Sequence, residues 1–191
     1  MSIDGRNLQI ALITGPARSG KSEWAEHLAQ CSGKSVIYVA TGRTDPEDAD
    51  WQARLAQHRA RRPADWGLWE VPMELAAAIS QATAHQCLLV DSLGTWLANL
   101  IDLSDAEWQR RQSALLVNLQ AADCEVILVG EETGWGVVPA YPVGRRFRDR
   151  LGGITRQIGA IATSVYLVTG GYALDLKALG QPLPPQDQPP Q

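Results

Sequence analysis

One octapeptide constrains this chain more than any other feature. Gly15 to Ser22 reads GPARSGKS, which satisfies the pattern G-x-x-x-x-G-K-[ST]. Gly15 and Gly20 permit backbone conformations that turn successive N–H groups toward phosphate oxygens. Lys21 brings a compact positive charge to the β and γ phosphates, and the Ser22 hydroxyl suits Mg²⁺. Such a loop works only between a buried strand and a helix, and the flanking residues provide both. Leu8 to Thr14 (LQIALIT) is apolar, and Ser22 to Gln30 has helical spacing. The reading is a triphosphate site that uses Gly15, Pro16, Ala17, Arg18, Ser19, Gly20, Lys21 and Ser22.

The rest of the chain repeats this alternation. Val36–Ala40, Cys87–Asp91, Val126–Gly130 and Val165–Thr169 are short apolar runs, with a further short strand at Trp69–Val71. Amphipathic stretches lie between them at Trp51–Arg61, Met73–Ala84, Thr95–Ile101, Asp105–Ala121 and Arg145–Ala162. Pro63 ends the first, because the residue before proline avoids the α region. Ser104 or Asp105 is placed to cap the helix that follows. Continuous apolar strands, rather than alternating ones, are covered on both faces. The expected fold is therefore α/β, a mostly parallel sheet flanked by helices, in one domain over residues 1–179. Residues 180–191 (GQPLPPQDQPPQ) hold five prolines and are expected to be a disordered tail.

Composition narrows the function. A net charge of −4 offers no broad basic face to nucleic acid. No apolar run approaches the roughly 20 residues of a membrane helix, and the N-terminus lacks a signal peptide's apolar core. The three cysteines, Cys31, Cys87 and Cys124, are far apart and form no metal-ligand pair. They are expected to be buried free thiols in a reducing, cytoplasmic setting.

Two further features suggest chemistry. Asp91 closes an apolar strand, where an acid serves as a Mg²⁺ or nucleotide ligand or as the N-cap of the next helix. Arg54 to Pro63 reads RLAQHRARRP, with His58 among arginines. Neighbouring positive charge disfavours the imidazolium, and a neutral imidazole has the lone pair a nucleophile needs. The arginines could hold triphosphate oxygens while His58 attacks phosphorus. Read from composition alone, the same run is a solvated basic helix face. His27 and His85 are given no catalytic role. Gly134, Trp135 and Gly136 form either a mobile lid or a turn with a packing tryptophan.

Taken in order, these motifs resemble the bifunctional adenosylcobinamide kinase/adenosylcobinamide-phosphate guanylyltransferase family. The residues that carry the resemblance are TGPARSGKS (14–22), YVATG (38–42), Arg54, His58 and Arg59, then Arg62, Pro63 and Trp66, and Glu70. LLVDS (88–92), TWLAN (95–99), ETGWGVVP (132–139) and RFRD (146–149) continue it to about Lys177. The resemblance implies a RecA-like P-loop NTPase fold and a homotrimer. It also implies a two-step enzyme that phosphorylates adenosylcobinamide with ATP or GTP. GMP from GTP then passes through a histidine to adenosylcobinamide phosphate, giving adenosylcobinamide-GDP. The guanylylated histidine falls on His58. Nucleotide contacts fall on residues 15–22, on Ala40, Thr41 and Gly42, on Arg59, Ala60, Arg61 and Arg62, and on Glu70 and Asp91, with Ser22 and Asp91 toward Mg²⁺. The chain departs from the family pattern at Pro16, where a glycine is usual, and at Glu131, where an asparagine is usual. Gly94 stands in place of a threonine, and Thr155 and Arg156 in place of an Asn-Gln pair. Candidate bases for the substrate hydroxyl are Glu70, Asp91 and Glu132. Two other readings compete: a monofunctional P-loop small-molecule kinase without covalent guanylylation, and a nucleotide-controlled switch.

Overall fold

The computed structural model describes residues 9–43 and 62–184 of the chain. Seven strands form one sheet: β1 (Ile10–Gly15), β2 (Ser35–Ala40), β3 (Gly67–Glu70), β4 (Gln86–Asp91), β5 (Glu125–Glu131), β6 (Ser164–Thr169) and β7 (Tyr172–Asp175). Their order across the sheet is β3-β2-β4-β5-β1-β6-β7. The first six run parallel, and β7 returns antiparallel to β6 through Gly170 and Gly171, both at positive φ. The helices are α1 (Lys21–Cys31), α2 (Leu75–Gln81), α3 (Leu93–Asn99), α4 (Asp105–Gln120), α5 (Pro142–Ile161) and the single turn α6 (Leu176–Leu179).

The apolar runs become buried strands because both faces of the sheet are covered. All six residues of β1 are buried, as are five of the seven in β5. The period-two alternation sends Leu12, Val39, Leu88, Val90, Val126 and Leu128 to one face, where α2, α3, α4 and α5 add Ile79, Trp96, Leu115 and Ile154. Ala11, Ile13, Val36, Tyr38, Leu89, Ile127 and Val129 face the other way, onto Ala25, Leu28 and Ala29 of α1. Ser104 caps α4: its hydroxyl accepts the Glu107 N–H, and the Glu107 carboxylate accepts the Ser104 N–H.

The expected strands and helices recur within a few residues at their ends. Four details differ. The hairpin to β7 and the turn α6 follow β6, in a stretch for which the apolar pattern predicts no element. The last long helix begins at Pro142, three residues before the expected Arg145, since proline suits the first helical turn, which needs no N–H donor. Cys87 and Cys124 are buried, whereas Cys31, at the end of α1, is only partly so. Trp135 is 63 % exposed, so it does not pack as a core tryptophan. The helix expected over 51–61 lies outside the described residues, as does most of the tail.

Every parallel strand ends at the same edge of the sheet, and β1, β4 and β5 bring Gly15, Asp91 and Glu131 there together. β5 separates the loop-bearing strand from the acid-bearing one. Ligands of open parallel sheets bind in the crevice beyond this edge.

Candidate active site

The loop between β1 and α1 has the backbone that its glycines predict. Gly15 is at φ 152° and Gly20 at φ 97°, and Arg18 takes the left-handed region at φ 57°. A side chain at Gly15 would overlap the Val168 carbonyl oxygen and stand 3.0 Å from Ser19 Oγ, so only glycine fits beside β6. The first turn of α1 starts at Lys21, and its free N–H groups face the loop. Lys21 is 7 % exposed and donates from Nζ to the Pro16 carbonyl at 2.7 Å. Pro16 therefore contributes an acceptor here. Burial lowers the Lys21 pKa, opposed by the charges of Glu131, Asp91, Glu132 and Glu23. Ser19 Oγ is buried with no hydrogen-bond partner. An orphaned hydroxyl and a buried ammonium resting on a carbonyl suit a ligand with several anionic oxygens.

Asp91 ends β4, and the helix after it is capped by Ser92 rather than by Asp91. The N-cap reading of Asp91 is thereby removed. Its Oδ2 accepts the Tyr38 hydroxyl at 3.1 Å. The Ser22 hydroxyl and the Asp91 carboxylate are hard oxygen donors, the set that Mg²⁺ takes when phosphates and water complete its shell. Among the described residues no group of three or more His, Cys, Asp or Glu gathers as a metal cage.

Thr41 is fully buried, and its hydroxyl donates to the Ser92 carbonyl at 2.7 Å and accepts the Ser92 N–H at 2.9 Å. Asn99 Nδ2 donates to the carbonyls of Thr41 and Pro72, at 2.7 and 2.9 Å. Ala40 pairs in register with both Asp91 and Glu70, and the Val71 N–H reaches the Ala40 carbonyl at 2.8 Å. Ala40, Thr41, Gly42, Glu70 and Asp91 are thus one assembly at the sheet edge, though Glu70 itself is exposed. Arg62 lies over the Tyr38 ring, its guanidinium carbon 4.4 Å from the centroid. His58, Arg59, Ala60 and Arg61 lie outside the described residues. His27 is exposed beside Trp24, with ring centroids 5.3 Å apart, and His85 is exposed before β4.

Two departures from the family pattern fit each other. Glu131, at the end of β5, accepts the Ser92 hydroxyl on Oε1 and the Gly94 N–H on Oε2, the latter at 2.9 Å. A Cβ on residue 94 would overlap Oε2 and stand 2.7 Å from the carboxyl carbon. Glycine at 94 makes room for a glutamate at 131. Burial raises the Glu131 pKa, against the hydrogen bond from Ser92 that lowers it. Glu132 accepts the Thr14 hydroxyl at 2.5 Å, and its N–H donates to the Gly15 carbonyl at 2.9 Å, which locks the loop's first residue to β5. At the other two departures, Arg156 is exposed on α5, and Thr155 Oγ1 is buried without a partner and faces Gly130.

Sequence reasoning alone did not single out Tyr38 or the pairing of Gly94 with Glu131. Strand parity held a signal for the first, since Tyr38 points to the same face as Asp91 on the neighbouring strand. The second has no signal in one dimension: positions 94 and 131 meet only because β4 and β5 are adjacent.

The family model for "Cobinamide kinase / cobinamide phosphate guanyltransferase" matches residues 11–176. A bifunctional adenosylcobalamin biosynthesis protein, CobP, of Pseudomonas aeruginosa is 43% identical over 174 residues, covering 90% of this chain and 98% of that protein. The CobU protein of Escherichia coli K12, with the same description, is 34% identical over 183 residues, covering 88% and 99%. Among solved structures, a protein of Pyrococcus horikoshii OT3 matches with a TM-score of 0.54 at 8% identity, covering 90% of this chain and 87% of that one. An ATPase of a type III secretion system matches at 0.50 and 13% identity, covering 85% and 51%. Likenesses this remote in sequence bear on the fold alone.

Proposed function

Because the chain belongs to the cobinamide kinase / cobinamide phosphate guanyltransferase family, we propose that the crevice around Lys21 and Asp91 serves two successive reactions, joined by a covalent GMP on His58. In the first, the terminal hydroxyl of adenosylcobinamide attacks the γ-phosphorus of ATP or GTP. The bond to the β–γ bridging oxygen breaks, the diphosphate leaves, and the hydroxyl proton passes to a nearby base. In the second, a neutral His58 nitrogen attacks the α-phosphorus of GTP and releases pyrophosphate. A phosphate oxygen of adenosylcobinamide phosphate then attacks that phosphorus and breaks the P–N bond. Histidine is regenerated, and adenosylcobinamide-GDP is formed.

The observation that carries the nucleotide half is the loop itself, with Lys21 buried against a carbonyl and Ser19 Oγ unpartnered. Lys21 and the loop N–H groups neutralise phosphate charge as it shifts in transfer. Mg²⁺, held by Ser22 and Asp91 with the phosphates, would supply further charge neutralisation. Support for the histidine half comes from the anchors of its segment. Thr41 is pinned to Ser92 at the entry, and Arg62 is seated beside Asp91 through Tyr38 at the return. His58 precedes Arg62 by four residues, and four residues of chain span at most about 14 Å.

The substrates and free thiols suit a cytoplasmic enzyme. Exposed Val137, Val138, Tyr172 and Leu174 offer apolar surface to the homotrimer that the family resemblance implies. No helix among the described residues is long and apolar enough to cross a membrane. The experiment is to follow cobinamide with GTP and Mg²⁺ by chromatography. The wild-type protein should give cobinamide phosphate and then cobinamide-GDP, and Lys21→Ala should give neither. His58→Ala should stop at the phosphate. A His58→Ala protein that still makes cobinamide-GDP removes the covalent step on His58 and leaves a transfer that does not pass through it.

A further inference from the structure

Tyr38 stands two residues before the end of β2, 5 % exposed, in the core between the sheet and α1. Its neighbours there are apolar, and a phenylalanine would fill the same volume. The hydroxyl is nonetheless engaged, donating to Asp91 Oδ2 at 3.1 Å. The ring is engaged as well, by the Arg62 guanidinium at 4.4 Å. Arg62 Nε is buried without a hydrogen-bond partner, so among the described residues the ring is what holds that end of the side chain. One side chain thus touches the acid at the end of β4 and the first described residue after the segment that bears His58.

We propose that Tyr38 is a positioning residue for both reactions: its hydroxyl orients the Asp91 carboxylate, and its ring seats Arg62, four residues after His58 in the chain. A carboxylate at a strand end turns freely about two side-chain bonds. The hydrogen bond from Tyr38 restricts that rotation, so that the carboxylate would meet a Mg²⁺ ion from a set direction. A planar guanidinium on an aromatic face is likewise held in orientation without using its N–H donors, which stay available to phosphate. The inference rests on the reading of Asp91 as the metal-side acid and of His58 as the nucleophile.

Two substitutions separate the two contacts. Tyr38→Phe keeps the ring and removes the donor, and Tyr38→Leu removes both. In Tyr38→Phe the Mg²⁺ concentration for half-maximal cobinamide phosphorylation should rise at least fivefold, with kcat at saturating Mg²⁺ within twofold of wild type. Binding of Mn²⁺ to the protein–GDP complex, read by electron paramagnetic resonance, should weaken in parallel. Tyr38→Leu should in addition slow labelling by α-³²P-GTP tenfold or more at saturating Mg²⁺, whereas Tyr38→Phe should not. A role confined to packing predicts lower thermal midpoints, equal losses in both reactions and an unchanged Mg²⁺ midpoint, and that result overturns the proposal. Asp91→Asn separates the two ideas. If it leaves metal dependence unchanged, the reading of Asp91 falls. If it shifts metal dependence and Tyr38→Phe does not, the positioning role of the hydroxyl falls alone.

Discussion

At position 94 a single hydrogen atom stands where other residues carry a side chain, and the space is taken by the carboxylate of Glu131. Two effects oppose each other when a methyl group is placed there. Alanine is favoured over glycine inside a helix by about 0.5–1 kcal/mol. The methyl would overlap Oε2, so Glu131 would swing away from Ser92 and Gly94 and leave a buried carboxylate without those donors. Losing hydrogen bonds to a buried charged group costs about 1–3 kcal/mol, so the clash should win. Gly94→Ala is therefore expected to lower the unfolding free energy in urea. In a Glu131→Ala background the same substitution should become neutral or stabilising. A change of equal size in both backgrounds would show that the carboxylate is not what excludes a side chain at 94. The departure at 94 and the one at 131 are single substitutions when read along the chain. They become one feature only when β4 and β5 are seen side by side.

At the scale of elements, the sequence was most legible where local rules and burial agree. GPARSGKS between an apolar run and a helical one specified β1, the loop and α1, because the glycines, the lysine and the helix start each constrain the backbone in the same place. Ser104 was also readable as a cap, since a serine followed at its third residue by Glu107 forms a reciprocal pair. Ser104→Ala should lower stability by about 1 kcal/mol, measured by thermal or urea unfolding, and leave turnover of cobinamide unchanged. A loss of activity without a loss of stability would contradict this assignment. β7 was missed because its apolar run, Tyr172 to Leu174, is only three residues long and sits in an edge strand with Tyr172 and Leu174 exposed. Its existence depends on the Gly170–Gly171 turn and on a free edge of β6, and the latter is a property of the sheet. Strand order was illegible for the same reason. Periodicity says that a strand is covered on both faces, not that β1 lies between β5 and β6.

For the whole molecule, the question raised by the proposed function is how one cradle would serve two phosphorus chemistries. The γ-phosphorus of one triphosphate is attacked in the first reaction and the α-phosphorus of a second triphosphate in the other, so the cradle would present two triphosphates in turn to two nucleophiles. Among the described residues the proposed arrangement rests on the loop, on Lys21, on Asp91 with Tyr38, and on Arg62, four residues after His58. The loop's conformation was legible because local backbone, set by its glycines, determines it. The histidine's role was suggested by residue type and by resemblance, and its test is chemical. Purified protein incubated with Mg²⁺ and GTP labelled with ³²P at the α-position, denatured and digested, should yield one labelled peptide containing His58. The label should be stable in base and lost in acid, as a phosphoramidate is, and absent from His58→Ala. Label from the γ-position instead, or label that persists in His58→Ala, would contradict the account.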